Sequence, residues 1–308
     1  MIFRLGFSIL LGPALASALT FRVDPARDVR PINPLIYGSN QSVIPETTLS
    51  RQGGNRMTGY NWETNASHAG QDWKNNNDFW LLDITGLRGN GNAGTVVEKH
   101  VKDALARKAQ PLVTLQMAGY VSADGAGPVD NTDAAPSPRW KEVRARKGAP
   151  FAYPPNPEDD FVSMDEQAAF LVSKFGKAAQ GGVRYFCLDN EPALWPSTHS
   201  RLHPKAPSYE ELIKKGAETS QAILEVDEGA EFFGPVEYGW MEHASLQDAP
   251  ESKQWNPEFG SFSGYYLAKM KEASDKAGRR LLHFFDYHHY PEARGDKRIT
   301  ENGNSDAD

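Results

Sequence analysis

Six short runs of apolar, aromatic and β-branched residues recur along this chain, at residues 35–38, 49–55, 111–116, 183–188, 232–236 and 281–290. Between them lie stretches with helical periodicity. Residues 95–110 place Val97, Val101 and Leu105 on one face. Ser163 with Glu166, and Ser208 with Glu211, each have capping-box spacing ahead of a helical stretch. The first helix buries Leu171, Phe175 and Ala178, and the second Leu212, Gly216, Ile223 and Leu224. Residues 265–277 form a further helix, closed by Gly278. This alternation predicts an α/β fold, a parallel sheet with helices outside it. An open doubly wound sheet and a (β/α)8 barrel satisfy it equally. No GxGxxG or GxxxxGK[ST] follows any strand, so a nucleotide fold loses its best support.

The 308 residues carry a net charge of −7 with Lys and Arg scattered, which argues against a nucleic-acid partner. Cys187 is the single cysteine, so no disulfide can form within the chain. It lies inside an apolar strand and reads as a small buried hydrophobe. Arg4, the apolar run from Leu5 to Leu15 and Ala16-Ser17-Ala18 have the order of a secretory signal peptide. We expect residues 1–18 to be a signal and residues 19–308 to be one domain, secreted and monomeric. No later run is long and apolar enough to span a membrane.

The fourth strand ends in Asn190-Glu191-Pro192. Pro192 cannot continue a sheet ladder, so the strand stops there and delivers a carboxylate to the sheet's mouth. In parallel sheets and barrels that end is where chemistry is done. Read alone, Glu191 is either a functional carboxylate or only a polar strand terminus. Other polar and aromatic residues gather at predicted strand ends: Asn55, Tyr60, Trp62, Glu63, Asn65 and Trp73 after the second, Glu237, Tyr238 and Trp240 after the fifth, and Asp286, His288, His289 and Tyr290 after the sixth. Such a rim suits a sugar, because rings stack on pyranose faces while amides and carboxylates hold hydroxyls. The competing reading makes Trp62, Trp73 and Trp240 ordinary core aromatics.

His288 and His289 are adjacent, and neighbours on a strand face opposite sides, so regular β geometry cannot aim both at one ion. No catalytic metal or other cofactor is expected. Asp124, Asp130 and Asp133 could hold a structural calcium, although their spacing fits no EF-hand loop and a solvated loop explains them as well.

The string Arg51-Gln52-Gly53-Gly54-Asn55-Arg56-Met57-Thr58-Gly59-Tyr60-Asn61-Trp62-Glu63-Thr64-Asn65, followed by Ala69-Gly70-Gln71-Asp72-Trp73, closely resembles glycoside hydrolase family 44, the family of endoglucanases and xyloglucanases. The resemblance continues through Met164-Asp165-Glu166, Asp189 to Trp195, Gly234-Pro235 and His288 to Pro291. It implies a TIM-like (β/α)8 barrel carrying a β-sandwich, and retaining cleavage of a β-1,4-glucan. It makes Glu191 the acid/base, with Asn190 on a substrate hydroxyl. Asn55, Trp62, Glu63, Asn65, Trp73, Tyr238, His289 and Tyr290 are the remaining expected substrate contacts.

Retaining hydrolysis needs a second carboxyl about 5 Å from the first. The resemblance puts that nucleophile on a seventh strand, but only Pro291 to Asp308, mostly polar, follow Tyr290. We therefore expect an incomplete barrel of about six of the eight strands, with most of the sandwich missing, as in a fragment of a larger enzyme. Glu237 or Glu292 serving as nucleophile is the alternative. A non-catalytic glucan-binding remnant is the competing function. Asn40-Gln41-Ser42 and Asn65-Ala66-Ser67 are sequons, the second doubtful because a glycan in the presumed cleft would block substrate.

Overall fold

The computed structural model describes residues 22–40 and 44–290. The expected signal peptide, Glu292 and part of the first sequon lie outside them. Contacts divide the chain into Met1–Asn33 and Pro34–Asp308. Of the first unit, residues 22–33 are described, irregular and exposed. The second unit holds every element below.

Its centre is a six-stranded sheet: β1 (Gly38–Asn40), β2 (Leu49–Gln52), β3 (Gln110–Leu115), β4 (Tyr185–Leu188), β5 (Glu231–Glu237) and β6 (Phe284–Tyr287). All neighbours are parallel, and spatial order equals chain order. A doubly wound sheet reverses its strand order at a switch point. This one does not, and it is the wall of a partial (β/α) barrel. The first strand starts later than its sequence suggests, because Pro34–Ile36 forms a 3-10 turn. The second ends earlier, because Asn55–Gly59 forms another.

Register separates the two faces. Arg51 aligns with Leu112, Leu112 with Tyr185, Thr114 with Cys187, Cys187 with Phe233, and Pro235 with Asp286. On this inner face Leu112, Cys187 and Val236 form a small apolar cluster. On the other, Val113, Leu115, Phe186, Leu188 and Phe232 join the main core with the helices α1 (Thr95–Ala106), α2 (Met164–Phe175), α3 (Tyr209–Val226) and α4 (Phe262–Ala277).

The capping boxes form only in part. Ser208 Oγ accepts from the Glu211 amide at 3.0 Å, but the Glu211 carboxylate turns to Lys215 and His203. Ser163 makes no side-chain cap, and Glu166 reaches away to Lys147 and the Ala152 amide. A buried carboxylate gains more from an ammonium than from a cap amide. Between β3 and α2, Trp140–Arg144 pairs with Tyr120–Ser122 and Phe161–Ser163 in a small sheet.

Candidate active site

At the C-terminal end of β4 the backbone turns twice through left-handed geometry, at Asp189 (φ 65°) and Glu191 (φ 46°). Side chains at these φ values are strained by roughly 1–2 kcal/mol each, so the surroundings must hold them. Asp189 is fully buried. Its Oδ1 accepts from Thr58 Oγ1 at 2.6 Å and the Asn190 amide at 2.8 Å, and its Oδ2 from the Met117 and Ala118 amides at 2.5 and 3.1 Å. One carboxylate thus joins the ends of β2, β3 and β4. Burial pushes it above the usual range, while these four donors pull the other way.

Glu191 is held from β5 and β6. Its amide donates to the Val236 carbonyl at 2.9 Å. Its Oε1 lies 2.7 Å from His288 Nδ1 and accepts from Tyr290 Oη at 3.2 Å. The far nitrogen of His288 is 3.0 Å from Arg51 Nη1, and Arg51 is ion-paired with Asp286. A guanidinium can only donate, so Nε2 accepts and the neutral ring carries its proton on Nδ1, aimed at Glu191. Glu191 Oε2 has no partner among the described residues, and the side chain is 15% exposed. One oxygen is anchored and the other is unpaired among the described residues.

The expected contacts divide sharply. Asn190 is buried at Glu191's shoulder, its carbonyl accepting from the Trp195 indole at 3.1 Å. Tyr290 reaches Glu191 directly. Asn55 Nδ2 donates to Asp72 at 2.8 Å, beside Trp73, which is 67% exposed. The turn bearing Trp73 packs on Trp195–Thr198, just downstream of Glu191. Gly70 makes that approach possible: at φ 68°, a Cβ there would sit 2.4 Å from the Thr198 carbonyl. Tyr238 is half-buried, its hydroxyl donating to Gln247.

Trp62, Glu63 and Asn65 are not rim residues. The Trp62 ring is fully buried against Phe170. Asn65 is an internal bracket: Oδ1 accepts from Tyr60 Oη and the Val96 amide, and Nδ2 donates to the Asn92 carbonyl. Its burial also places the second sequon beyond reach of a glycan in the folded chain. Glu63 lies inside, 3.5 Å from Lys141, its carboxyl pushed up to about 7 by burial. His289 is exposed, and the inward residue is its neighbour His288. Strand period from Asp286 gives that result, since residues two apart share a face. The same parity from Leu49 finds Arg51. Asp189 carries no such signal, because its role depends on contacts from three strand ends.

Glu237 is also displaced. Alternation from Phe233 and Pro235 would aim it inward, but a bulge at Val236 (φ 68°) shifts the register. Glu237 instead turns into the helix layer, fully buried, with Oε1 accepting from Ser263 and Oε2 3.6 Å from His243 Nδ1. Burial pushes its carboxyl up to about 7. Asp124 is tied to Arg139 at 2.7 and 3.0 Å. Among the described residues no group of three or more His, Cys, Asp or Glu is placed to share a metal ion.

A parallel half-barrel with a carboxylate, a histidine and an arginine linked at the C-terminal ends of its strands defines a (β/α)-barrel protein of the kind that does chemistry at that mouth. The model of glycoside hydrolase family 44 matches residues 66–293, and the chain belongs to this family. Endoglucanase A of Paenibacillus lautus is 44% identical over 301 residues, covering 96% of this chain and 43% of that protein. A Paenibacillus polymyxa family 44 xyloglucanase, solved with xyloglucan, aligns with a TM-score of 0.85 and 45% identity, over 88% of this chain and 54% of that one. A family 44 endoglucanase from Clostridium thermocellum gives 0.86 and 47%, over 89% and 55%. The chain spans about half the length of these relatives.

Proposed function

We propose that this chain is the acid/base half of a secreted, retaining endo-β-1,4-glucanase acting on cellulose or xyloglucan. The observation that carries the reading is Glu191 at the mouth of the half-barrel, one oxygen anchored by His288 and Tyr290 and the other without a partner among the described residues. Glu191 protonates the glycosidic oxygen as the leaving sugar departs, then takes a proton from the attacking water. Asn190, whose side chain has no hydrogen-bond partner among the described residues, holds a substrate hydroxyl. Trp73 and Asn55 line the approach, the exposed ring stacking on a sugar face.

The nucleophile in this reading comes from a further strand. Two observations support that. Glu237 faces the helix layer, and the relatives are about twice as long as this chain. The leader-like order of residues 1–18 supports secretion.

The test is turnover of soluble xyloglucan and carboxymethylcellulose by the 308-residue chain, by a version extended through the relatives' length, and by Glu191→Gln in each. Turnover by the extended chain that Glu191→Gln abolishes supports the proposal. Unchanged turnover in that variant sinks Glu191 as acid/base. Glucan binding with no turnover in either length favours a binding module instead.

A further inference from the structure

Pro192 follows Glu191 and has no amide hydrogen, so the first N–H that can tie down the turn after Glu191 belongs to Ala193. That amide does not go to solvent. It donates to Oε1 of Glu242 at 3.1 Å. The second oxygen, Oε2, accepts from the Tyr238 amide at 2.7 Å. Glu242 sits in the short helix Trp240–Ser245 after β5 and is 0% exposed. Both oxygens are engaged and the group is sealed from solvent, so it cannot reach a substrate.

We propose that Glu242 is a positioning residue for Glu191, holding the turn Pro192–Leu194 against the end of β5 so that the left-handed backbone at Glu191 persists. The inference rests on the reading of Glu191 as acid/base. Three features converge on it. Glu191 sits at φ 46° and ψ 57°, a conformation that an L side chain keeps only when its surroundings fix it. The strand on the other side of the clamp is itself irregular, with Val236 at φ 68° and its carbonyl accepting from the Glu191 amide at 2.9 Å. Burying a carboxyl is costly, and both oxygens of this one are spent on two backbone amides, those of Ala193 and Tyr238. Together the Val236 carbonyl and the Glu242 carboxylate bracket Glu191, one binding its own amide and the other the amide two residues on.

Glu242→Gln tests the clamp. The amide keeps one acceptor but turns an N–H2 toward the other backbone N–H, so one arm is lost with shape conserved. Two measurements are made. In the 308-residue chain, amide hydrogen exchange is followed at Ala193, Tyr238 and Cys187. At least one of the Ala193 and Tyr238 amides should exchange roughly 10-fold faster, with Cys187 in β4 unchanged. In the extended chain, kcat on xyloglucan should fall by roughly 10- to 100-fold with KM within about two-fold, since the proton donor is misplaced while the binding surface is intact. Unaltered exchange at both amides, or acceleration spread evenly over the sheet, overturns the inference. So does a kcat equal to the parent's. Loss of activity in Glu191→Gln is read separately, so a failure of the acid/base reading is distinguishable from a failure of the clamp.

Discussion

His288 Nδ1 lies 2.7 Å from Oε1 of Glu191, and its opposite nitrogen lies 3.0 Å from the Arg51 guanidinium. β2 and β6 thus meet at the carboxylate that β4 presents. Removing the ring should misplace Glu191 without touching the sugar-binding surface. His288→Ala in the extended chain is expected to lower kcat by about 10- to 100-fold. His288→Asn can still donate toward Glu191 and should recover part of the loss. Steady-state kinetics on xyloglucan check this, and equal losses in both variants would contradict the donor role.

Trp62 and Trp73 flank the same loop but differ in environment. Trp62→Ala removes a buried ring and should cost about 3–5 kcal/mol by urea denaturation. Trp73→Ala removes an exposed one and should shift stability by no more than about 0.5 kcal/mol, while weakening retention on glucan in affinity electrophoresis. The reverse pattern would exchange their roles.

Asp189 ties three strand ends through four hydrogen bonds. In Asp189→Ala, Thr58 and the Met117 and Ala118 amides lose their acceptor inside the core. The expected loss is roughly 3–5 kcal/mol, read as a fall in denaturation midpoint with unchanged slope.

Glu237 titrates near 7 in the folded chain against an ordinary value of 4.5, because burial disfavours its charge. A carboxyl raised on folding binds its proton more tightly in the native state. Its contribution is fully present below about 4.5 and is lost as pH rises through 7. Glu237→Gln removes the titration. Its stability should fall less than the parent's between pH 5 and pH 8, by about 1–3 kcal/mol. Matching pH profiles for variant and parent in thermal melts would refute this.

Glu191 was legible in the sequence because Pro192 ends the strand and fixes where the carboxylate emerges. The alternation of runs predicted the parallel sheet, and the string from Arg51 to Trp73 carried the family. Those are local properties, set by side-chain period and backbone chemistry along a single segment. Which residues face the cleft was decided by register. A strand counted by twos puts Glu237 inside, but the bulge at Val236, set by pairing with β6, turns it into the helices. The same counting, applied from Asp286, selects His288 over His289. Trp62 and Trp73 have equally polar neighbours in the chain, and only tertiary packing buries one ring against Phe170 and leaves the other in solvent. The Asp189 and Glu242 brackets join residues separated by up to 131 positions. No local period encodes such contacts, because they exist only once the barrel wall has brought the strand ends together.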